Sequence, residues 1–263
     1  MLRLDIMGIR LKSEKDIIIL AKGGALLSAI LKKIAKATAP GVETVELENL
    51  ARKLIKEAGG EPAFLGYDTN NGKYPAALCV SVNDAVVHTP ATLNYKIKEG
   101  DVVSLDLGLR YQGLCTDMAT TVIAGRAADK KIEQLLIAAK QALKEGIREC
   151  RINAPVSAIG KRVQKSVEVK GFTAIRDLVG HGVGFSVHED PIVPNYYDKD
   201  TDKIKMQEGL VIAIEPMITI GSGEVVIGAD GLTYFTANGE PAAHFEATVA
   251  ITKKGPKILT PII

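Results

Sequence analysis

The segment "GLVIAIEPMI" (209–218) places one carboxylate, Glu215, among apolar residues on both faces of what the pattern predicts to be a β-strand. Such a strand is buried on both sides. Desolvating an unpaired carboxylate there is expensive. Any fold this chain adopts must therefore bring Glu215 a partner, either a buried cationic side chain or a bound metal ion.

Three more acidic residues fall on predicted strands. In "VVSLDLGL", Val103, Leu105, Leu107 and Leu109 form an apolar face. Asp106 shares the other face with Val102, Ser104 and Gly108, which by itself reads as a solvated face. Asp117 lies on the return strand of a predicted hairpin. A two-residue Tyr111-Gln112 loop would set Arg110 against Gly113 and Asp106 against Asp117, whereas a bulge at Gly113 would shift the register by one. Directly opposed carboxylates repel, and a cation between them offsets that repulsion. In "AHFEATVAI", Glu246 shares a face with His244 and Thr248, opposite Phe245, Ala247, Val249 and Ile251.

The chain has 4 histidines, and two of them, His181 and His188, lie in the glycine-broken run "LVGHGVGFSVHEDP". The glycines around His181 allow close approach of backbone to a ligand. Four carboxylates and one imidazole suit a pair of divalent ions, and so oxygen-rich a set favours Mn²⁺, Fe²⁺ or Co²⁺ at least as much as Zn²⁺.

The order of elements repeats. Ser13 is placed as an N-cap for a helix that Pro40-Gly41 ends, and a second helix stops at Gly59-Gly60. Strands follow, ending in the hairpin around Tyr111-Gln112-Gly113. A long helix from about 129, another with Pro155 in its first turn, and further strands repeat the sequence of types. Two α-α-β halves, about 13–125 and about 129–253, in one α+β domain of 263 residues are expected, with a cleft between them as the binding site.

A net charge of +2 makes no case for nucleic-acid binding. The 3 cysteines form no CxxC pair, so neither a disulfide framework nor a cysteine zinc site is expected, and a reducing compartment is. The start carries no apolar leader core. No apolar run approaches the ~18 residues of a membrane span.

Taken together, "SLDLG", "TDMATT", "GHGVGFSVHEDP", "AIEPM" and "HFEATV" resemble the type I methionine aminopeptidases, over nearly the whole chain. The resemblance implies the pita-bread (creatinase/aminopeptidase) fold, two pseudo-twofold halves around a curved antiparallel sheet. It implies two divalent metals (Co, Mn, Fe or Zn), with Asp106 on one, Asp117 and Glu246 bridging, and His181 and Glu215 on the other. A metal-activated water would be the nucleophile. Glu215 would also shuttle the proton, and His188 would steady the tetrahedral intermediate. His88, which its own surroundings suggest is only a surface loop histidine, matches a residue that contacts the scissile amide. Tyr67, Tyr74 and Cys79 match the methionine pocket, in a segment, "GYDTNNGKYP", longer than usual for the family. The substrate implied is the initiator methionine of nascent chains ahead of a small second residue. The implied protein is a cytoplasmic monomer, with ribosome contact as a further partner.

The interval from His188 to Glu215 leaves no room for the helical insertion of type II enzymes, and no N-terminal zinc-finger extension is seen. Three positions depart from the family: Ala247 stands for a histidine, Val187 for an aromatic residue, and Leu232 near a usual tryptophan. Strand alternation turns Ala247 away from the metals, so the ligand set is expected to survive, while Val187 and Leu232 would widen the pocket. The rival readings are an Xaa-Pro aminopeptidase or prolidase, which shares the five ligands but generally carries a further N-terminal domain, and a non-enzymatic pita-bread binding protein, which typically loses ligands.

Overall fold

The computed structural model describes residues 8–261, and the reading of the first seven residues as no leader lies outside them. Helix α1 spans Glu14–Ala37, and Ser13 caps it. The Ser13 hydroxyl accepts from the Asp16 amide at 3.2 Å, and the Asp16 carboxylate accepts from the Ser13 amide at 2.9 Å. This reciprocal box satisfies two otherwise orphaned donors. Helix α2 spans Thr44–Glu57, α3 Lys130–Arg148 and α4 Ser157–Glu168. Pro155 falls just ahead of α4 rather than in its first turn. Its carbonyl accepts from the Ala158 amide at 3.1 Å, so the chain turns once before the helix proper begins.

Among the described residues every strand pairing is antiparallel, and the ladders divide into five sheets. In one, Val102–Tyr111 pairs with Leu78–Val82 on one side and Leu114–Ile123 on the other. In another, Gly180–Gly182, Val211–Ile214 and Ala247–Thr252 lie side by side. The expected single strand around Glu215 is in fact two, Val211–Ile214 and Met217–Thr219, with Glu215-Pro216 at the break, because Pro216 has no amide to donate to a ladder. The strand around Glu246 divides likewise, into Ala242–His244 and Ala247–Thr252.

The hairpin register also differs from expectation. Tyr111 pairs with Leu114, so the two-residue turn is Gln112-Gly113, both with positive φ (50° and 83°). That is the turn whose twist suits a hairpin, and Gly113 takes the left-handed backbone without cost. Asp106 therefore faces Ala119, and Asp117 faces Gly108. The slip is two residues, so both carboxylates keep the same face and sit diagonally instead of opposed.

Each helix pair covers the outer face of one sheet. Leu27, Leu31 and Leu47 pack with Val103, Leu105, Leu107 and Leu109. Residues of α3 and α4 pack with Ile212, Ile214, Phe245, Ala247, Val249 and Ile251. Ala247 thus points into the outer core, as alternation requires. The inner faces meet at a seam. The Thr248 hydroxyl accepts from the Asp117 amide at 2.9 Å and donates to the Asp117 carbonyl at 2.8 Å. The Glu246 amide donates to the Ala119 carbonyl at 3.0 Å. The face bearing Asp106 is consequently buried, not solvated: Ser104 is 3% exposed and Asp106 9%.

The segment 259–261 is held against α1. Ser28 donates to the Pro261 carbonyl at 2.7 Å, and a Cβ on Gly24 would lie 2.2 Å from the Leu259 carbonyl oxygen. Gly24→Ala gains about 1 kcal/mol of helix propensity but must displace backbone, an overpacking cost of about 1–3 kcal/mol. A net loss of stability is expected in urea unfolding; a raised midpoint would show that this segment yields.

Candidate metal centre

Between the inner faces lies a cavity of about 470 Å³. Every candidate ligand, catalytic and substrate-contact residue read from the sequence lines it: Tyr67, Tyr74, Cys79, His88, Asp106, Asp117, His181, His188, Glu215 and Glu246. Asp106 and Asp117 come from the hairpin, His181 from Gly180–Gly182, and Glu215 and Glu246 from the two strand breaks. At a break the backbone leaves the ladder, so these two side chains can turn into the cavity.

Three sets of ligand atoms each lie within 4.8 Å of one another: Asp106, Asp117 and Glu246; His181, Glu215 and Glu246; Asp117, His181 and His188. Glu246, Asp117 and His181 each belong to two sets. His188 thus stands at ligating distance of Asp117 and His181 as well as against Tyr67, whose ring lies 4.9 Å away, centroid to centroid. Asp106 Oδ1, Glu215 Oε1 and Glu246 Oε1 are buried without a hydrogen-bond partner. Buried carboxylate oxygens are almost always satisfied, so three orphans converging on one cavity fit divalent cations as the missing partners.

The imidazole is prepared for the same role. His181 Nδ1 lies 2.9 Å from the Gly182 carbonyl and donates to it, which leaves Nε2 bare, 3.3 Å from Glu215 Oε1 and 4.0 Å from Asp117 Oδ2. Burial lowers the pKa of His181 and His88 to about 4 and of His188 to about 3, so all three are neutral at neutral pH. Burial, reinforced by the Asp117 charge, raises Asp106, Glu215 and Glu246 well above the carboxylate range. Burial raises Asp117 too, against a hydrogen bond from the Met118 amide.

One wall is apolar and adaptable. Tyr74 Oη lies 2.9 Å from Cys79 Sγ, and Cys79 pairs with Asp106 across the ladder. Phe64 meets Tyr74 edge-on, with ring centroids 6.4 Å apart. Leu232 lines the cavity, but Val187 does not: it packs behind with Tyr74 and Cys79, so it acts on the pocket through packing rather than by widening it directly. Residues 68–71 of the long "GYDTNNGKYP" segment form part of the lining, and the Asn71 side-chain amide donates to the carbonyl of Gly231, which also lines it. His88 reaches the cavity with φ at +62°, a left-handed backbone unusual for a non-glycine residue.

Two contributors were not singled out from the sequence. His244 stands behind Glu215, with Nε2 3.5 Å from Oε2. Lys12 pairs with Glu189, their side chains 1% and 6% exposed, and Glu189 also accepts from the Ser186 amide at 2.7 Å. The pair ties the chain ahead of α1 to the loop bearing His188. The acidic residue after His188 was visible, but its partner, 177 residues away, left no local pattern.

Residues 19–253 match metallopeptidase family M24. The methionine aminopeptidase of Aquifex aeolicus is 45% identical over 258 residues, covering 97% of this chain and 99% of that protein. The crystal structure of methionine aminopeptidase from Thermotoga maritima superposes with a TM-score of 0.89 at 38% identity, covering 96% of this chain and 99% of that one. The prolidase of Pyrococcus furiosus superposes at 0.75 with 23% identity, covering 96% of this chain and 66% of that one, a likeness of fold alone. The architecture is the pita-bread α+β fold.

Two outcomes follow from this geometry. The raised carboxyls hold protons in the folded, cation-free protein that the unfolded chain would release, so their contribution to stability is present at low pH and lost as pH rises. Cation binding expels those protons, so it tightens with pH. The rise in melting temperature with added Mn²⁺ is expected to be larger near about pH 7.5 than near about pH 5.5; equal shifts would place the ion elsewhere. Lys12→Met strands a buried carboxylate and is expected to cost about 3–5 kcal/mol in urea unfolding. A loss below about 1 kcal/mol, the range of exposed pairs, would mean Glu189 is not held by this pair.

Proposed function

The chain belongs to metallopeptidase family M24, and from that premise we propose that it is a methionine aminopeptidase, removing the N-terminal methionine of polypeptides with a small second residue. The observation that carries the site is the pair of ligand sets sharing Glu246 around orphaned carboxylate oxygens in one cavity. Dependence on divalent metal belongs to the family. Two ions per chain, drawn from Co, Mn, Fe or Zn, is our finer reading, and Asp106, Asp117, His181, Glu215 and Glu246 are the residues that would hold them.

When bound, such a pair supplies Lewis-acid polarisation of the scissile carbonyl and makes water more acidic. Glu215, whose Oε1 faces the cavity without a partner, takes the proton from the attacking water and passes it to the departing amine. His88 and His188, neutral from burial, each offer one N–H and one lone pair to the peptide group. They position the scissile amide and hydrogen-bond the oxygen that gains charge. Phe64, Tyr67, Tyr74, Cys79 and Leu232 offer the apolar, partly aromatic wall that a flexible thioether packs against. Asn71 and Gly231, joined by a hydrogen bond, line the same cavity and limit its width there.

We read residues of about 13–125 and about 129–253 as the two halves of one catalytic unit, working as a monomer on nascent chains in the cytoplasm, near the ribosome. Among the described residues no helix is long and apolar enough to cross a membrane, which is compatible with that setting.

Hydrolysis of Met-Ala-Ser is measured with each divalent ion, beside an Xaa-Pro peptide. Metal-dependent release of methionine, abolished by chelation, is expected. Faster cleavage of the proline peptide would overturn the reading in favour of a prolidase, and no cleavage of either would favour a binding protein. Glu215→Gln keeps shape but cannot accept the proton. It is expected to lower kcat by about 10²–10⁴ with melting unchanged, and unchanged kcat would remove Glu215 from the proton transfer.

A further inference from the structure

His244 is 1% exposed, and neither ring nitrogen has a hydrogen-bond partner. An imidazole with both nitrogens orphaned in the interior costs free energy unless it has a task. It does not line the cavity, and among the described residues it joins none of the ligand sets. The group it faces is Glu215, whose carboxylate stands between two imidazoles. His181 Nε2 is 3.3 Å from Oε1, and His244 Nε2 is 3.5 Å from Oε2.

The backbones on both sides are fixed. The Thr121 hydroxyl accepts from the His244 amide and donates to the His244 carbonyl, each at 2.8 Å. It receives a hydrogen bond in turn from Ser104, at 2.9 Å. The Asn195 side-chain amide donates to the Glu215 carbonyl at 3.0 Å. Met217, two residues after Glu215, pairs with His244 in the ladder. What these bonds leave free is the rotation of the Glu215 carboxylate, which decides whether Oε1 points at His181. A neutral imidazole carries one N–H, and against an oxygen of ionised Glu215 with no cation between them a ring nitrogen is favourable only when it carries that hydrogen.

We propose that His244 is a positioning residue, its Nε2–H directed at Glu215 Oε2 so that Oε1 stays turned toward His181 and the cation site. The role rests on the metallopeptidase reading above, in which Glu215 is both a ligand and the proton acceptor. Groups behind a ligand typically tune metal affinity by about 10- to 100-fold. His244 differs from a packing residue in that its effect passes through a donated hydrogen.

The test compares His244→Leu, which fills the space without a donor, with His244→Gln, which restores one. Mn²⁺ affinity is measured by calorimetry, melting temperature by circular dichroism, and kcat and KM on Met-Ala-Ser. Leu is expected to weaken Mn²⁺ binding by about 10- to 100-fold and to lower kcat more than it raises KM, with melting near that of the parent. Gln is expected to recover most of both. Wild-type affinity in the Leu variant, or equal losses in Leu and Gln, would overturn the proposal. Should the Leu variant not fold, ¹⁵N spectra of the zinc-loaded parent decide: hydrogen on Nε2 supports the role, and hydrogen on Nδ1 overturns it. Calorimetry also separates the two readings. A parent that leaves Met-Ala-Ser intact but binds Mn²⁺ in the order parent, Gln, Leu would sink the peptidase reading and keep the positioning role.

Discussion

Four carboxylates share one buried cavity, and their mutual repulsion and lost hydration are what the rest of the structure accommodates. Asp106, Asp117, Glu215 and Glu246 are each less than a tenth exposed. Among the described residues no lysine or arginine pairs with any of the four; their close cationic candidates are His181 and His244, both held neutral by burial. Protein partners alone therefore leave the cluster uncompensated. Either protons or divalent cations must supply the positive charge, and that choice links pH, metal and stability in this molecule.

A cluster so unfavourable must be held by structure elsewhere. The helix pairs do this by covering the outer faces of the sheets with aliphatic side chains, so that outward positions of the hairpin strands and of the strands flanking Glu215 and Glu246 are locked. The seam between sheets then fixes the inner faces against each other. Thr248 bonds both backbone groups of Asp117 and so sets two candidate ligands, Asp117 and Glu246, by one hydroxyl. Strand breaks matter as much as strands. Pro216 and the gap at Phe245-Glu246 release Glu215 and Glu246 from the ladder just where they meet the cavity.

The periphery is held by pairs distant in sequence. Lys12–Glu189 anchors the loop bearing His188, and Asn71–Gly231 joins two segments that line the cavity. Both fix segments that a substrate would touch, and neither adds to the apolar core. Membership of the M24 family accounts for the general plan, and two positions where the sequence motifs depart from the expected residues, Val187 and Ala247, sit away from the cavity surface. Ala247 lies in the outer core, Val187 behind the pocket wall, and His244 behind a candidate ligand.

Local pattern alone determined the helices, the existence of the hairpin and which side chains share a strand face with Asp106 and Glu246, because periodicity and caps are properties of neighbours in the chain. It also made Glu215 conspicuous, since a carboxylate among isoleucines needs a partner wherever the strand lies. The hairpin turn was misplaced by one residue because Tyr111-Gln112 and Gln112-Gly113 are both short enough. Only Gln112-Gly113 provides the left-handed conformations that the twist demands. Which carboxylates share an ion, that the Asp106 face is dry, and that Lys12, Thr248 and His244 serve the site were decided by tertiary structure. Those facts depend on sheets meeting across more than a hundred residues of chain, as with Asp117 and Thr248, 131 positions apart, and no local pattern encodes such a distance.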